Sequence, residues 1–505
     1  MRKLTRSPLT GILLLYCILT LPHLNKGLSA LDAHGTIAAI ERILDGQGYY
    51  PSRPPGHPAT EVFLYLPVAY LLEINGIDFN WLVYNILQWL GGFTCLIAFY
   101  CLLRKVNPSI KLICIGMLSF ICCHLFIINS IDGAEFNWGL ACLFLALLYI
   151  IKSFRSQPSK TKSYVIFSAI FVAFSTGFRQ EFVFFFVIYP ILFHIHPQLQ
   201  FKEIIKCGLI TFLVGMIIWL PVFIYNSFTI PMPMPMPETG LRELRNRILG
   251  GGYKLIFLGL TLPVTIVIIG WIFRIFETHR KFLQSDKEII FLYASVSVVS
   301  VLFTSLYFVY PYKPDFILLI IPLLILLGVS INWKNELYWL AAGTMASLAF
   351  HIDIFKDRVL VFPHTETSLY WKGILEKPHH KADRLQKEIG LVKGKSKKVL
   401  LITELWSSDY AYLIDSQQVG LRKHTQPPFP PSNFNIYLMP DNNSSILLAS
   451  RRAIEELETL SKYADDDYEI CINKRFLRSF FFKYNIRFPI GDRIQIGKGL
   501  WCTVI

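Results

Sequence analysis

The stretch "SALDAHGTIAAIERILDGQGYYPSRPPGHPAT", residues 29–60, lies between two long apolar runs and decides the order of the fold. Leu9–Leu24 precedes it, and the next run of full length is Trp81–Leu103. Asp32–Gly46 has a helix pattern that Asp32 can cap and Gly46 can end, with apolar residues on one face at Ile37, Ile40 and Leu44. Such a helix beside a span lies flat on the membrane surface. We therefore expect an interfacial helix, a proline-fixed loop and a second short juxtamembrane helix in "TEVFLYLPVAYLL".

The composition is that of a membrane protein. The chain has 505 residues and a mean hydropathy of +0.45, and 17% of its residues are charged. Soluble proteins carry about 25% charged residues. The net charge of +14 comes largely from Lys and Arg in short loops between apolar runs, which a bilayer explains. Because no basic stripe with interleaved aromatic residues is present, we expect membrane lipids and no nucleic acid as partners.

Apolar runs recur up to residue 350 and predict a polytopic α-helical membrane protein with about 11 transmembrane helices. The first run could be a signal peptide, but no small-residue cleavage site follows it, so we interpret it as a retained span. Several runs are shorter than the ~20 residues a span usually needs. Residues 164–195 are either two spans or a re-entrant hairpin. The runs after the first are Trp81–Leu103, Leu112–Ile128, Phe136–Ile151, Tyr164–Phe178, Phe182–Ile195, Ile204–Tyr225, Leu255–Phe273, Ile289–Val309, Phe316–Ile331 and Leu337–Phe350.

The basic residues predict the orientation. With the N-terminus in the cytoplasm, the inner segments contain 17 Lys and Arg residues and the outer loops contain 9. This bias follows the positive-inside rule, and an odd number of spans then places the C-terminal region outside. The first two outer loops are acidic, with Asp32, Glu41, Asp45 and Glu61 in the first and Asp132 and Glu135 in the second.

The composition changes after Phe350. Residues 1–354 are predicted to form the transmembrane domain, with 26–78 as its first outer loop. Residues 355–394 are a linker, and 395–505 form a small extracytoplasmic α/β domain with strands in "KKVLLITEL" and "NFNIYLMP" and a helix in "SRRAIEELETLSKYA". Cys471 and Cys502 could form a disulfide there if the domain is outside the cytoplasm.

This order of parts resembles the GT-C membrane glycosyltransferases, in the bacterial branch related to protein O-mannosyltransferases and the lipid A aminoarabinose transferase. The shared parts are an aspartate after the first span, the loop "RPPGHP", the acidic loop "IDGAEF" after the third span, "AFSTGFRQE" between paired runs, and the late element "YPYKPDFILLIIPLLILLG". The resemblance covers roughly residues 1–335. Many relatives have two adjacent acids in the first loop, whereas Ala33 follows Asp32 here.

The resemblance implies an inverting enzyme of the bacterial inner membrane. It would transfer a sugar from a polyprenyl-phosphate-linked donor to a glycan, lipid or protein acceptor at the outer face. This chemistry needs a carboxylate base for the acceptor and cations for the departing phosphate. Asp32 is the candidate base, and Asp132 is the second catalytic candidate. The substrate-binding candidates are Lys313, Arg179, Arg53 and Lys254 for the phosphate, together with Glu135, Glu61 and His57.

Each candidate also has a purely structural interpretation. Asp32 can act only as a helix cap, and Asp132 can belong to an ordinary Asp-Gly turn. Glu135 and Glu61 can cap helices, and any of the cations can extend to lipid headgroups. His57 and Glu61 are four residues apart and could meet on a helix, but the spacing of His, Cys and acidic residues does not indicate a metal site. A divalent metal is therefore unsupported, although the sequence leaves metal dependence open, and no cofactor is established.

Two other functions stay open. A transporter or flippase of lipid-linked sugars should show internal repeats and charges near the middle of the membrane. The sequence has no evident repeat, and its acids are concentrated in the outer loops. An O-antigen polymerase or ligase would use a large late outer loop, whereas the unusual loop here is the first one.

Overall fold

The computed structural model describes residues 8–24, 31–46, 48–49, 51, 56–77, 79–131, 135–225, 245, 248–252, 255–256, 260–309, 314–349, 385, 389, 398–402, 422–423, 436–438, 446–449, 468–473, 493–496 and 500–504. The chain divides into two compact units. One contains residues 1–26 and 35–375, and the other contains residues 27–34 and 376–505. The predicted boundaries at 354 and 395 fall outside the described residues and stay a prediction.

The first unit is helical, and helix α2 includes residues assigned to each of the two units. In chain order the helices are α1 Pro8–Thr20, α2 Leu31–Leu44, α3 Leu66–Ile74, α4 Trp81–Val106, α5 Ile110–Ile121, α6 His124–Ile131, α7 Phe136–Phe154, α8 Pro158–Phe178, α9 Ile188–Ile195, α10 Phe201–Tyr225, α11 Leu262–Leu283, α12 Lys287–Val309, α13 Ile320–Ser330 and α14 Lys334–Ala349. Tighter 3₁₀ segments lie at Leu21–His23, Gln180–Val187 and Pro314–Ile317, and a π-helical segment lies at Ala59–Tyr65.

The chain is an integral, multi-pass membrane protein. In the described residues, six helices are long and apolar enough to cross a bilayer, namely α4, α7, α8, α10, α11 and α12. A seventh span is formed if α5 and α6, which meet at a 62° bend, cross together. Pro8–His23, Gln180–Ile195 and Ile320–Ser330 are shorter apolar helices. The polytopic helical fold is thus confirmed, whereas the number of 11 spans stays a prediction.

Apolar helices occupy two different environments in this unit. Ten consecutive residues of α13, Ile320 to Val329, are buried, and most of α7 is buried as well. In contrast, α10 and α11 expose large apolar side chains such as Ile217 and Phe276. A helix that is apolar all round and buried belongs to a core, whereas exposed apolar faces on spans contact lipid.

The first loop contains the two short helical segments that the sequence predicts. Helix α2 begins at Leu31, so Asp32 lies inside the first turn and does not precede the helix as a cap. An acidic residue there still interacts favourably with the positive end of the helix dipole. The π-helical segment Ala59–Tyr65 continues directly into α3, which has only 9 residues. Together they are too short for an ordinary span.

The second unit contains a sheet. Its described strands are β1 Lys398–Ile402, β2 Arg422–Lys423, β3 Ile436–Leu438, β4 Ile446–Ala449, β5 Tyr468–Asn473, β6 Arg493–Ile496 and β7 Leu500–Val504, in the order β2-β3-β4-β1-β5-β7-β6. The central strand β1 is parallel to β4 and β5, and the other pairs are antiparallel. The strands predicted at "KKVLLITEL" and "NFNIYLMP" match β1 and β3. The helix predicted at 450–464 lies outside the described residues.

The register of β5 and β7 concerns the two cysteines singled out in the sequence. Cys471 of β5 is directly opposite Cys502 of β7 in this antiparallel pair. Residues opposite each other in an antiparallel pair have Cα atoms about 4.5–5.5 Å apart, which lies within the range that a disulfide requires. The backbone register is therefore compatible with the proposed disulfide.

Candidate functional site

A cluster of polar side chains is buried between the ends of several helices in the first unit. We call it the polar cluster. It contains Thr36, Tyr49, His57, Glu61, Tyr84, Gln88, Glu135, Arg179 and Glu181. These residues come from α2, the first loop, the start of α4, the start of α7 and the end of α8. Buried polar groups need hydrogen-bond partners, so their contacts define the site.

Glu135 lies immediately before α7 and is fully buried. Its Oε1 atom accepts hydrogen bonds from the Thr36 hydroxyl at 3.0 Å and from the Tyr84 hydroxyl at 3.3 Å. The Gln88 amide donates to the Tyr84 hydroxyl at 3.0 Å. Asn80 caps α4, because its side-chain oxygen accepts hydrogen bonds from the backbone N–H groups of Leu82 and Val83. The cap fixes the start of the helix, one turn before Tyr84. A single carboxylate thus joins α2, α4 and α7.

The second buried carboxylate belongs to Glu61. Its Oε2 atom accepts a 2.5 Å hydrogen bond from the Tyr49 hydroxyl. The pKa of Tyr49 is raised, first by burial and then by the negative charge of Glu61. Gly56 makes this approach possible, because it has φ +111° and a Cβ atom there would lie 2.9 Å from the Tyr49 hydroxyl. Gly56 therefore packs closely against the tyrosine of a tyrosine–glutamate pair.

His57 ties the same loop to α8. Its Nδ1–H donates to the backbone carbonyl of Phe178 at 2.6 Å, immediately before Arg179. The backbone N–H of Glu61 donates to the carbonyl of His57 at 2.9 Å, so the two residues are one helical turn apart, as their spacing predicts. In the described contacts, the His57 side chain bonds the Phe178 carbonyl and the Glu61 side chain bonds the Tyr49 hydroxyl.

Arg179 is a buried cation at the end of α8, with 1% of its surface exposed. Its Nη2 atom forms a 2.8 Å ion pair with Glu181, and its guanidinium lies 4.1 Å from the centre of the Phe136 ring. Within the described part of the chain, Nε and Nη1 are buried and have no hydrogen-bond acceptor. A buried guanidinium with unused donors is suited to an anionic oxygen from a ligand.

Four of the nine candidate residues from the sequence lie in the polar cluster, namely Arg179, Glu135, Glu61 and His57. The backbone of Asp32 is in α2, but its side chain is not described. Asp132, Lys313, Arg53 and Lys254 lie outside the described residues. The functional role of each candidate stays a prediction. In the described residues, no group of three His, Cys, Asp or Glu side chains could bind a metal ion.

Sequence reasoning missed Thr36, Tyr49, Tyr84, Gln88 and Glu181. Two signals were available: Tyr84 and Gln88 are polar residues at helical spacing inside an apolar run, and Glu181 directly follows the "FRQ" stretch. Polar residues inside a span face protein or a water-filled cavity. The partner of Glu135 on α2 has no such signal, since Thr36 is 99 positions away in the sequence.

The comparisons with known proteins concern the whole chain. No protein family and no curated protein matches the sequence. The crystal structure of ArnT from Cupriavidus metallidurans bound to undecaprenyl phosphate matches with a TM-score of 0.50 and 8% identity, over 98% of this chain and 97% of that chain. The apo structure of the same protein matches with a TM-score of 0.49 and 9% identity, over 98% of both chains. ArnT is a lipid A aminoarabinose transferase of the GT-C family.

The chain has a fold similar to that of a GT-C membrane glycosyltransferase. The resemblance inferred from the order of sequence parts is thereby confirmed at the level of the fold. At 8% identity the match with ArnT carries the fold alone.

Proposed function

We propose that this protein is a membrane glycosyltransferase that takes a sugar from a polyprenyl-phosphate donor and transfers it to an acceptor at the outer face of the membrane. The observation that carries the proposal is the combination of an ArnT-like fold over nearly the whole chain with a buried, incompletely paired Arg179 in the polar cluster. The matched ArnT structure contains undecaprenyl phosphate, which belongs to the class of carrier lipid that the proposed donor would release. Fold similarity alone would not support a function, so the local chemistry matters.

Arg179 provides the phosphate chemistry in this proposal. A departing polyprenyl phosphate carries negative charge, and a guanidinium stabilises phosphate oxygens by charge-assisted hydrogen bonds. Glu181 and the Phe136 ring stabilise the cation while two of its nitrogen atoms keep unused donors in the described part of the structure. Lys313, Arg53 and Lys254 are further phosphate candidates from the sequence.

Asp32 is the proposed general base. It precedes Thr36 by one turn of α2, and Thr36 is bonded to Glu135 in the polar cluster. The carboxylate would remove the proton of the acceptor as the acceptor oxygen attacks the sugar. A single displacement of this kind inverts the configuration of the anomeric carbon. Asp132 is the second candidate for this role or for acceptor binding. The proposal includes no metal.

The location of the charges favours transfer over transport. In the described residues, Glu135, Arg179 and Glu61 lie at the beginnings or ends of helices, whereas transporters place functional charges on broken helices near the membrane midplane. A flippase of lipid-linked sugars is the alternative that the test below distinguishes.

The test combines one variant with two assays. Asp32→Asn keeps the size and shape of the side chain in the first turn of α2 but removes the proton acceptor. With a polyprenyl-phosphate hexose as donor, we expect the wild type to transfer sugar and Asp32→Asn to lose about 10²–10⁴-fold in rate, with unchanged melting in detergent. Normal turnover by Asp32→Asn would contradict the base assignment. If wild-type protein transfers no sugar but moves the labelled lipid across liposome membranes, the flippase alternative is correct.

A further inference from the structure

Glu135 is predicted from the sequence to bind substrate, but its contacts indicate another role. We propose that Glu135 is a positioning residue: it fixes α2, the helix that contains Asp32, to α4 and α7. The catalytic meaning of this role rests on the proposed function. The contact that does this is the hydrogen bond from Thr36 to Glu135.

The bonds to Glu135 form a chain through three helices. Thr36, Tyr84, Gln88 and Glu135 are each fully buried. Thr36 donates to Oε1 of Glu135 from α2, and Tyr84 donates to the same atom from α4. Gln88 donates to the Tyr84 hydroxyl, and the Tyr65 ring packs edge-on against the Tyr84 ring at 5.6 Å. The orientation of Tyr84 is therefore fixed from two sides.

The charge of Glu135 acts on its surroundings. The pKa of Tyr65 is raised well above its usual value, first by burial and then by the negative charge of Glu135. A carboxylate in such an environment requires donors, because an unpaired buried charge is strongly unfavourable. The hydrogen bond from Thr36 is therefore stronger than one between two neutral groups, and it favours a single position of α2.

The geometry of α2 connects this bond to Asp32. The backbone of an α-helix is stiff, and four residues extend roughly 6 Å along its axis. Asp32 is four residues before Thr36, so a shift of α2 at Thr36 moves the backbone of Asp32 by a similar distance. A displacement of about 1 Å at a reacting group can lower a rate by about 100-fold. Glu135 can thus control catalysis without touching substrate.

The experiment measures α2 directly in the full-length protein. Thr36→Val keeps the shape of the side chain but removes the donor, whereas Thr36→Ser keeps the donor. Hydrogen–deuterium exchange of peptides covering 31–44 should be roughly ten- to a hundred-fold faster in Thr36→Val, since a hydrogen bond to a charged group is lost. Thr36→Ser should restore the wild-type rate. Thr94→Val is the matched control, because the Thr94 hydroxyl bonds only Leu90 within α4 among described groups, and it should leave α2 unchanged.

A second variant tests whether Glu135 is the partner. In a Glu135→Gln background the bond from Thr36 is neutral and weaker, so Thr36→Val should accelerate exchange of 31–44 by much less than in the wild type. Equal acceleration in both backgrounds, or no acceleration in the wild type, would overturn the proposal. These outcomes do not depend on whether the protein transfers sugar.

Kinetics then connect positioning to the reaction. With a polyprenyl-phosphate hexose, Thr36→Val should lower kcat by about ten- to a hundred-fold with little change in the donor KM. If Glu135→Gln raises the donor KM while exchange of 31–44 stays at the wild-type rate, Glu135 binds substrate and the positioning role is wrong. If wild-type protein has no transfer activity, the proposed function fails, while the exchange data still decide whether Glu135 fixes α2.

Discussion

Arg179 is the residue whose surroundings are hardest to explain by stability alone. A buried ion pair contributes little net stability, because the cost of removing both charges from water offsets their attraction. In the described part of the site, Arg179 also leaves two nitrogen atoms without acceptors, which adds to the cost. A phosphate that accepts from these atoms would offset that cost when the donor binds.

The residue-scale prediction separates binding from folding. Arg179→Gln alone should destabilise the protein by about 3–5 kcal/mol, because it removes the cation that forms an ion pair with the largely buried Glu181. The double variant Arg179→Gln/Glu181→Gln removes both charges and should recover most of the melting temperature. It should still show a donor KM roughly ten- to a hundred-fold above wild type, since the phosphate contact is lost. A double variant with wild-type KM would assign Arg179 a structural role only.

At the scale of elements, the first loop is joined to the spans where α8 and α10 approach each other. Ala59 at the start of the π-helical segment packs with Phe178 and Ile218. Gly177 makes this packing possible, since a Cβ atom there would collide with Ile218 and lie 2.9 Å from the Ala59 Cβ. A single missing methyl group therefore allows the loop that contains His57 and Glu61 to reach α8.

Gly177→Ala should lower stability by about 1–3 kcal/mol through overpacking. The same substitution at Gly208 on α10 is the control, because a Cβ there would meet no atom within 4 Å. Replacing glycine by alanine in an open helix position stabilises by up to about 1 kcal/mol. Thermal melting in detergent should thus move in opposite directions for the two variants. Equal shifts would show that the junction of the first loop with α8 and α10 is not tightly packed.

A second element-scale prediction concerns β5 and β7. Because Cys471 and Cys502 are directly opposite in register, we expect them to form a disulfide when the second unit is outside the cytoplasm. Protein purified without reductant, alkylated and digested should yield a linked peptide pair containing both residues, which reduction separates. The cysteines described in the helical unit are free and serve as internal controls. Alkylated thiols at both Cys471 and Cys502 would contradict the prediction.

Elements were more predictable than contacts, for a physical reason. Apolar runs must form helices in a bilayer, so the sequence predicts α4, α7 and α12 nearly to their ends. The same pattern does not distinguish the buried α13 from the lipid-facing α10, since both are apolar all round. The bend between α5 and α6 contains Cys122 and Cys123 and no proline, so the apolar run Leu112–Ile128 gives no signal for it. The bond from Thr36 to Glu135 depends on tertiary packing alone.

At the scale of the whole molecule, the helical unit has two chemically different ends. The end that includes the start of α4 and the start of α7 contains the polar cluster. The opposite end is basic, with Arg104 and Lys105 in the last turn of α4 and Lys152 in the last turn of α7. There Arg155 forms an ion pair with Glu288 at 2.7 Å and also donates to the backbone at the end of α4. The basic residues at one end of the helices thus distinguish the two membrane faces.

The whole-molecule prediction is that the basic end faces the cytoplasm and the polar cluster faces the outside. Reporter fusions can test this independently of the number of spans, because the loop at 75–80 and the loop at 155–157 lie at opposite ends of α4 and α7. A reporter active only outside the cytoplasm should be active after Gly76 and inactive after Ser156, and a cytoplasmic reporter should give the reverse. The same two reporters, fused after Ile505, report the location of the second unit separately. We expect the second unit to be outside the cytoplasm. The reverse pattern at Gly76 and Ser156 would place the polar cluster on the cytoplasmic side, where the proposed transfer at the outer face cannot occur. If Gly76 and Ser156 give the predicted pattern but Ile505 is cytoplasmic, the number of spans differs from the predicted odd number. The basis for a disulfide between Cys471 and Cys502 is then removed.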